Sequence, residues 1–153
     1  MTDQPSDSET APETLFERVL RHEGYKELPY LDTLDNWTVG IGHWISPDQA
    51  KNQYKDGISL EDATALCEQD LRACQAFLQG TYPFYLSLTQ LRQEVMQEMA
   101  FQLGVDKIKD FEKMLNAIRE QNWDDAAQEM LDSLWHKETP QRVEELAGLM
   151  IKG

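Results

Sequence analysis

An α+β fold is predicted for this chain, with a small N-terminal β-hairpin or three-stranded sheet lobe joined by a long helix to a mainly helical C-terminal lobe. Three observations carry that expectation. Between about Leu28 and Ile45 two short β-prone pieces, LPYL and WTVGI, flank the turn-forming DTLDN. From Ser59 onward the apolar residues recur at helical spacing almost to the end. The length, 153 residues, suits one ordinary domain that buries its core without disulfides or metals.

Residues 1–9 are rich in Ser, Asp, Glu and Pro without apolar periodicity, and are expected to form a disordered acidic tail. Residues 10–153 then read as a single domain: a β lobe over about 24–58, a linking helix over about 60–78, and a helical lobe over about 79–153 that also includes the helix 10–23. Thr10 and Glu13 have capping-box spacing, Leu15, Phe16, Val19 and Leu20 share one helical face, and Gly24 offers a left-handed stop. Ser46-Pro47 and Asp56-Gly57 punctuate a loop, and Ser59 with Asp62 opens the linking helix.

Further helices are expected at Leu88–Leu103, closed by Gly104, and at Lys107–Gln121 with a break near Asp110. Two more follow at Trp123–Trp135, capped by Asn122, and Pro140–Ile151, where Thr139 stands as N-cap before a first-turn proline. Trp123 and Trp135 sit among apolar neighbours at helical spacing and belong to the core on this reading.

Charge excludes several function classes. With 28 acidic and 14 basic residues, a formal charge of -14 argues against nucleic acid or anionic membrane as partner, because phosphate contacts need clustered Lys and Arg. An acidic surface also keeps a domain dispersed or suits a salty setting. The sequence has no apolar run of the roughly 18 residues a membrane span needs, and MTDQPSDSETAPE is unlike a signal peptide. Cys67 and Cys74, seven apart on one helix, lie roughly 10 Å apart, too far for a disulfide. The three histidines have no metal-ligand spacing, so neither metal nor cofactor is expected.

Gly40-Ile41-Gly42 does not open a dinucleotide loop, because Ile45 stands where the third glycine of G-x-G-x-x-G is needed and no P-loop lysine follows. A better constellation is Glu23 at a helix C-terminus, Asp32 entering the turn, and Thr38 on the returning strand. Glycoside hydrolysis needs one protonated carboxyl and one ionised carboxylate. The negative helix end and burial both penalise a charge on Glu23, which suits a general acid. Asp32 lies among polar turn residues whose amides and solvent stabilise an anion. On spacing alone, purely structural roles remain open for both.

RHEGYKELPYLDTLDNWTVGIGH resembles the active-site region of the phage-type lysozymes, the T4-like muramidases of glycoside hydrolase family 24. Eight residues separate the Glu from the Asp and five separate the Asp from the Thr, ahead of a GIGH segment at Gly40–His43. The likeness continues through ISLEDATALCEQDL, AFQLG and NWDDAAQEM...LWHKETPQR, and so covers nearly all of residues 15–148.

The resemblance implies Glu23 as general acid, Asp32 as the carboxylate that directs water, Thr38 as a hydroxyl holding that water, and inversion as the outcome. Inversion would want the carboxyls about 6.5–9.5 Å apart. It further implies that Arg142 holds Glu23, that His43 and Asp70 pair across the lobes, and that Trp44, Phe101 and Gln102 line a sugar cleft. Arg142 also has a reading as a solvated helix charge, and its attraction to Glu23 opposes the effect of burial.

The expected substrate is the β-1,4 bond between N-acetylmuramic acid and N-acetylglucosamine in peptidoglycan, cut by a monomer without cofactor. Such an endolysin would accumulate in the host cytoplasm and reach the cell wall through a holin. A rival keeps the fold as a weakly catalytic glycan-binding or virion-structural module, and a rival within the class acts on chitin-like polymers. The sequence departs from the family between His43 and Ile58, where it is shorter, and in lacking a basic C-terminal stretch. It also departs in charge, with Glu144 and Glu145 just after Arg142, and Glu98 where a cleft amide is expected.

Overall fold

The computed structural model describes residues 11–153, so the tail expected at 1–9 and the Thr10 cap lie outside the described residues. The first helix, α1, is Leu15–Glu23, and its capping box is four residues later than expected. Thr14 Oγ1 accepts from the Glu17 N–H, and the Glu17 carboxylate accepts from the Thr14 N–H. Ala11–Thr14 are exposed and have no apolar face to bury, so nothing there offsets the cost of an extra helical turn. Gly24 ends the helix with φ +71° and ψ 177°. That is an extended mirror-image conformation and not the left-handed turn expected, and it sends the chain straight into the sheet.

The sheet has three antiparallel strands in the order β1 (Lys26–Leu31), β2 (Trp37–Gly40), β3 (His43–Trp44). Tyr30 is paired with Thr38 and Thr38 with Trp44, so these three side chains lie abreast on one face. The register slips between Lys26 and Tyr30, the stretch containing Pro29, which has no N–H to give the ladder. The loop expected after Ser46 contains a short helix, α2 (Pro47–Lys51), with a Ser46–Gln49 capping box. Pro47 is there a first-turn residue with a preset φ, where the sequence reading took it as punctuation.

The linking helix α3 runs Leu60–Thr81, three residues past the expected end, with Ser59 Oγ accepting from the Asp62 N–H. Its buried stripe, Ala63, Cys67, Leu71, Cys74 and Leu78, meets the sheet near its start and α4 (Gln90–Leu103) further on. Both cysteines are free, and burial pushes their thiols up to about 12 (Cys67) and about 11 (Cys74). Helix α4 is capped by Thr89, and Val95–Phe101 is buried throughout, which makes it the central helix of the larger lobe.

Beyond Gly104 come α5 (Val105–Ile108) and α6 (Glu112–Arg119), divided where the break near Asp110 was expected. The single helix predicted over Trp123–Trp135 is two, α7 (Trp123–Leu131) and α8 (Leu134–Glu138). Ser133 starts the second by accepting from the His136 N–H. The last helix, α9, is Pro140–Lys152, and Thr139 does not cap it, because its hydroxyl is occupied with Gln102. Trp135 is buried as expected, whereas Trp123 is half-buried beneath the Arg92 guanidinium, 3.6 Å from its ring centre. No helix among the described residues is long and apolar enough to cross a membrane.

Candidate active site

Glu23, Asp32 and Thr38 line one cavity of about 230 Å³ between the sheet, the end of α1, and the facing parts of α4 and α9. Glu23 is the last residue of α1, and Arg142 Nη1 donates to its Oε2 at 2.8 Å. Gly42 also packs against the carboxyl. A Cβ at Gly42 would stand 3.0 Å from Glu23 Cδ and 2.9 Å from Phe101 Cε1, and its φ of +66° favours glycine. Gly40 likewise leaves room for the Ala63 methyl, 2.9 Å from where its Cβ would stand. The two glycines are thus a close-packed corner that seats α1 and α3 against the sheet.

Asp32 is fixed by its own turn: Oδ1 accepts from the Leu34 and Asn36 N–H groups, both at 2.8 Å. Two amide donors hold an anion in place. No described residue donates to Oδ2. Thr38 is buried, and its hydroxyl donates to the Asn36 carbonyl at 2.8 Å, so its lone pairs remain available as acceptors. Turn and strand therefore orient the second carboxylate and the hydroxyl through the same residue, Asn36.

The expected cleft residues divide. Trp44, at 40% exposure, stands at the rim, and Phe101 is buried in the floor. Gln102 also lines the cavity, but both ends of its amide are already engaged, Oε1 accepting from Trp135 Nε1 at 2.8 Å and Nε2 donating to Thr139 Oγ1 at 3.2 Å. His43 Nδ1 and Asp70 Oδ2 lie 2.7 Å apart, joining β3 to α3. From Leu34 and Trp44 a larger groove of about 640 Å³ continues past Phe111 and Trp135. It contains neither Glu23 nor Asp32, so the chemistry belongs to the smaller cavity and the groove offers room for an extended ligand.

Glu98 is not a cleft residue. It is fully buried on α4, where Arg18 Nε donates to Oε1 at 2.8 Å, Arg142 Nε donates to Oε2 at 3.0 Å, and His22 Nδ1 bonds the same Oε2. Burial pushes its carboxyl up, but the His22 bond, the Arg142 charge and the Arg18 bond outweigh that and hold it below the usual carboxylate range. Glu145 bonds Arg21 at 2.6 Å and His22 Nε2 at 3.0 Å, and its carboxyl is held at about 2, chiefly by Arg21. Glu144 pairs with His136 at 2.8 Å. The acids that looked unbalanced beside Arg142 are therefore paired.

Sequence reasoning missed Arg18 and His22. A signal was present: Arg18 and His22 are four apart on α1, Glu94 and Glu98 are four apart on α4, and Arg18 bridges to Glu94 as well, at 3.5 Å. Complementary charges at the same helical interval mark two faces that meet.

The phage lysozyme family model matches residues 20–152. The pre-baseplate central spike protein Gp5 of Enterobacteria phage T4 is 28% identical over 160 residues, covering 92% of this chain but 28% of the spike protein. Two proteins of Dictyostelium discoideum, the probable T4-type lysozymes 2 and 1, are each 29% identical. Lysozyme 2 matches over 141 residues (78% of this chain, 83% of that protein) and lysozyme 1 over 152 (86% and 89%). The chain thus spans nearly the length of two relatives and under a third of the other.

Proposed function

From its membership of the phage lysozyme family, to which the chain belongs as a glycoside hydrolase, we propose that it is a muramidase, hydrolysing the β-1,4 bond between N-acetylmuramic acid and N-acetylglucosamine in bacterial peptidoglycan. The observation that carries this reading is the pair of unlike carboxyls, Glu23 and Asp32, facing one cavity. Glu23 has one cation and an apolar wall around it, whereas Asp32 has two backbone amides.

In this mechanism Glu23 gives its proton to the glycosidic oxygen, so that the leaving sugar departs as an alcohol. A water lies between Asp32 and Thr38. Because the Thr38 hydroxyl spends its own proton on the Asn36 carbonyl, the water donates to Thr38 Oγ1 and to Asp32 Oδ2, leaving a lone pair aimed at the anomeric carbon. Asp32 takes the water's proton as the new bond forms, and the product has inverted configuration. Trp44 offers a ring face at the rim, and Gln102 acts by holding the Trp135–Thr139 wall.

Digestion of purified peptidoglycan with the wild type, Glu23→Gln and Asp32→Asn tests this, with new reducing ends read by mass and the fresh anomer by NMR. The Glu23 change should lower kcat by about 10² or more. Full activity in that variant removes the assignment, and 1,6-anhydro ends would make the enzyme a lytic transglycosylase. The similarity to a spike protein favours a second reading, a virion-structural or glycan-binding module, which predicts glycan binding without turnover. As an endolysin the protein would act on the wall after release from the host cytoplasm, and its expression should lyse cells only when a holin is supplied.

A further inference from the structure

The mechanism above leaves a buried group unused. Glu98, at the centre of α4, gathers Arg18 and His22 from α1 and Arg142 from α9. The His22 ring is bonded on both sides, Nδ1 to Glu98 and Nε2 to Glu145 Oε1 at 3.0 Å. A neutral imidazole has one N–H and one lone pair, so one of these contacts would set a lone pair against a carboxylate oxygen. Only the imidazolium donates to both. The charged groups around it are Glu98 from α4, Glu145 and Arg142 from α9, and Arg18, Arg21 and Glu23 on its own helix.

This cluster reaches the catalytic acid through one side chain, Arg142, with His22 at the cavity edge. Arg142 is divided between two carboxyls, Nε donating to Glu98 and Nη1 to Glu23, while its buried Nη2 has no partner among the described residues. A general acid must hold its proton, and an undivided guanidinium beside it favours the ionised form. Glu98 competes for that guanidinium, and His22 competes with Arg142 for the same Glu98 oxygen, Oε2.

We propose that Glu98 and His22 are positioning residues for the catalytic acid: Glu98 draws Arg142 away from Glu23, His22 limits how far, and together they set the alkaline limit of activity. The proposal rests on the muramidase reading, with Glu23 as the acid. Glu98 does not line the cavity, and His22, at its edge, has both ring nitrogens bonded to Glu98 and Glu145, so both act through Arg142.

The test is the pH profile of kcat/KM on peptidoglycan for the wild type, Glu98→Gln and His22→Gln, with kcat and KM separated and the ¹⁵N NMR signals of the His22 ring recorded. Glu98→Gln leaves Arg142 to Glu23 and should move the alkaline limb down by about one pH unit, whereas His22→Gln should move it up by a similar amount. KM should stay within about twofold in both, because Glu98 lies outside the cavity and His22 has no free ring nitrogen to give a sugar. The wild-type ring should have both nitrogens protonated at neutral pH.

Limbs that coincide with the wild type, or that move in the same direction, overturn the proposal, as does a neutral His22 ring. If Glu98→Gln does not fold, an unmoved limb in His22→Gln is sufficient to overturn it. A wild type that releases no reducing ends removes the muramidase reading instead, an outcome distinct from cleavage with unmoved limbs.

Discussion

Gly42 does for Glu23 what no side chain could, letting the carboxyl carbon approach to 3.0 Å of where a Cβ would stand, at a φ of +66°. Gly42→Ala combines backbone strain with a clash and should cost about 1–3 kcal/mol of stability. It should also lower kcat tenfold or more on the order-of-magnitude scale of a misplaced catalytic group. Gly24→Ala is the control, since Gly24 has φ +71° but nothing within 4 Å of an added Cβ. It should lose stability by about 1–3 kcal/mol and lose less kcat than Gly42→Ala. Equal kcat losses in the two variants would show that strain, and not contact with Glu23, is at work. Spacing excluded a dinucleotide loop at GIGH, and Glu23, Asp32 and Thr38 were drawn out as candidates by their spacing together with the family likeness. The contact of Gly42 with Glu23 and Phe101 was not, because it exists only once α1 and α4 have packed on the sheet. Gln102 lines the cavity as expected of it, but its bonds to Trp135 and Thr139 were not legible for the same reason, since those partners lie more than thirty residues along the chain.

Helices α1, α4 and α9 are joined by the Glu98 cluster, so their attachment depends on pH from both sides. Glu145, held at about 2 against 4.5 for a free Glu, adds stability that is complete above pH 4.5 and lost as pH falls toward 2; the lowered Glu98 acts in the same direction. His22 works oppositely. Burial pushes its proton off, but the Glu98 and Glu145 carboxylates outweigh that and raise it above 6.5, so its contribution is present below pH 6.5 and lost as pH rises through the raised value. Thermal unfolding should therefore give a highest Tm between pH 4.5 and 6.5, with Glu145→Gln flattening the acid side and His22→Gln the alkaline side. A Tm that falls neither below pH 4.5 nor above pH 6.5 would contradict the assignment. At this scale the apolar periodicity located nearly every helix, and the errors are errors of capping. T-x-x-E occurs twice at the start of α1, and the box next to the apolar stripe forms. Ser46 and Ser133 open short helices where a loop and a continuous helix had been read. A cap is a local bond, but which of several caps forms is decided by what the adjoining turn can bury.

For the molecule as a whole, the α+β division and the family were readable because alternation, helical periodicity and motif spacing agreed over most of the chain. The surface charge follows a different logic. Glu98 and Glu145 are neutralised by Arg18, Arg21, His22 and Arg142, which also occupies four of the cations the chain has to offer. The net -14 is left to the rest of the molecule, against which Lys26 at the cavity and Lys107 and Lys113 along the groove are the lysines lining the site among the described residues. Cell-wall polymers are often anionic, so approach at low ionic strength is opposed, and the opposition should weaken once the Debye length shortens to about 8 Å near physiological salt. Lysis of whole walls should therefore rise from low to moderate salt, mainly through kcat/KM, while turnover of a short uncharged oligosaccharide should change little over the same range. The comparison separates long-range repulsion from any effect of salt on the fold, since the latter would appear with both substrates. A monotonic fall of lytic rate from the lowest salt, as a positively steered enzyme gives, would mean that a local basic path to the cleft outweighs the overall charge.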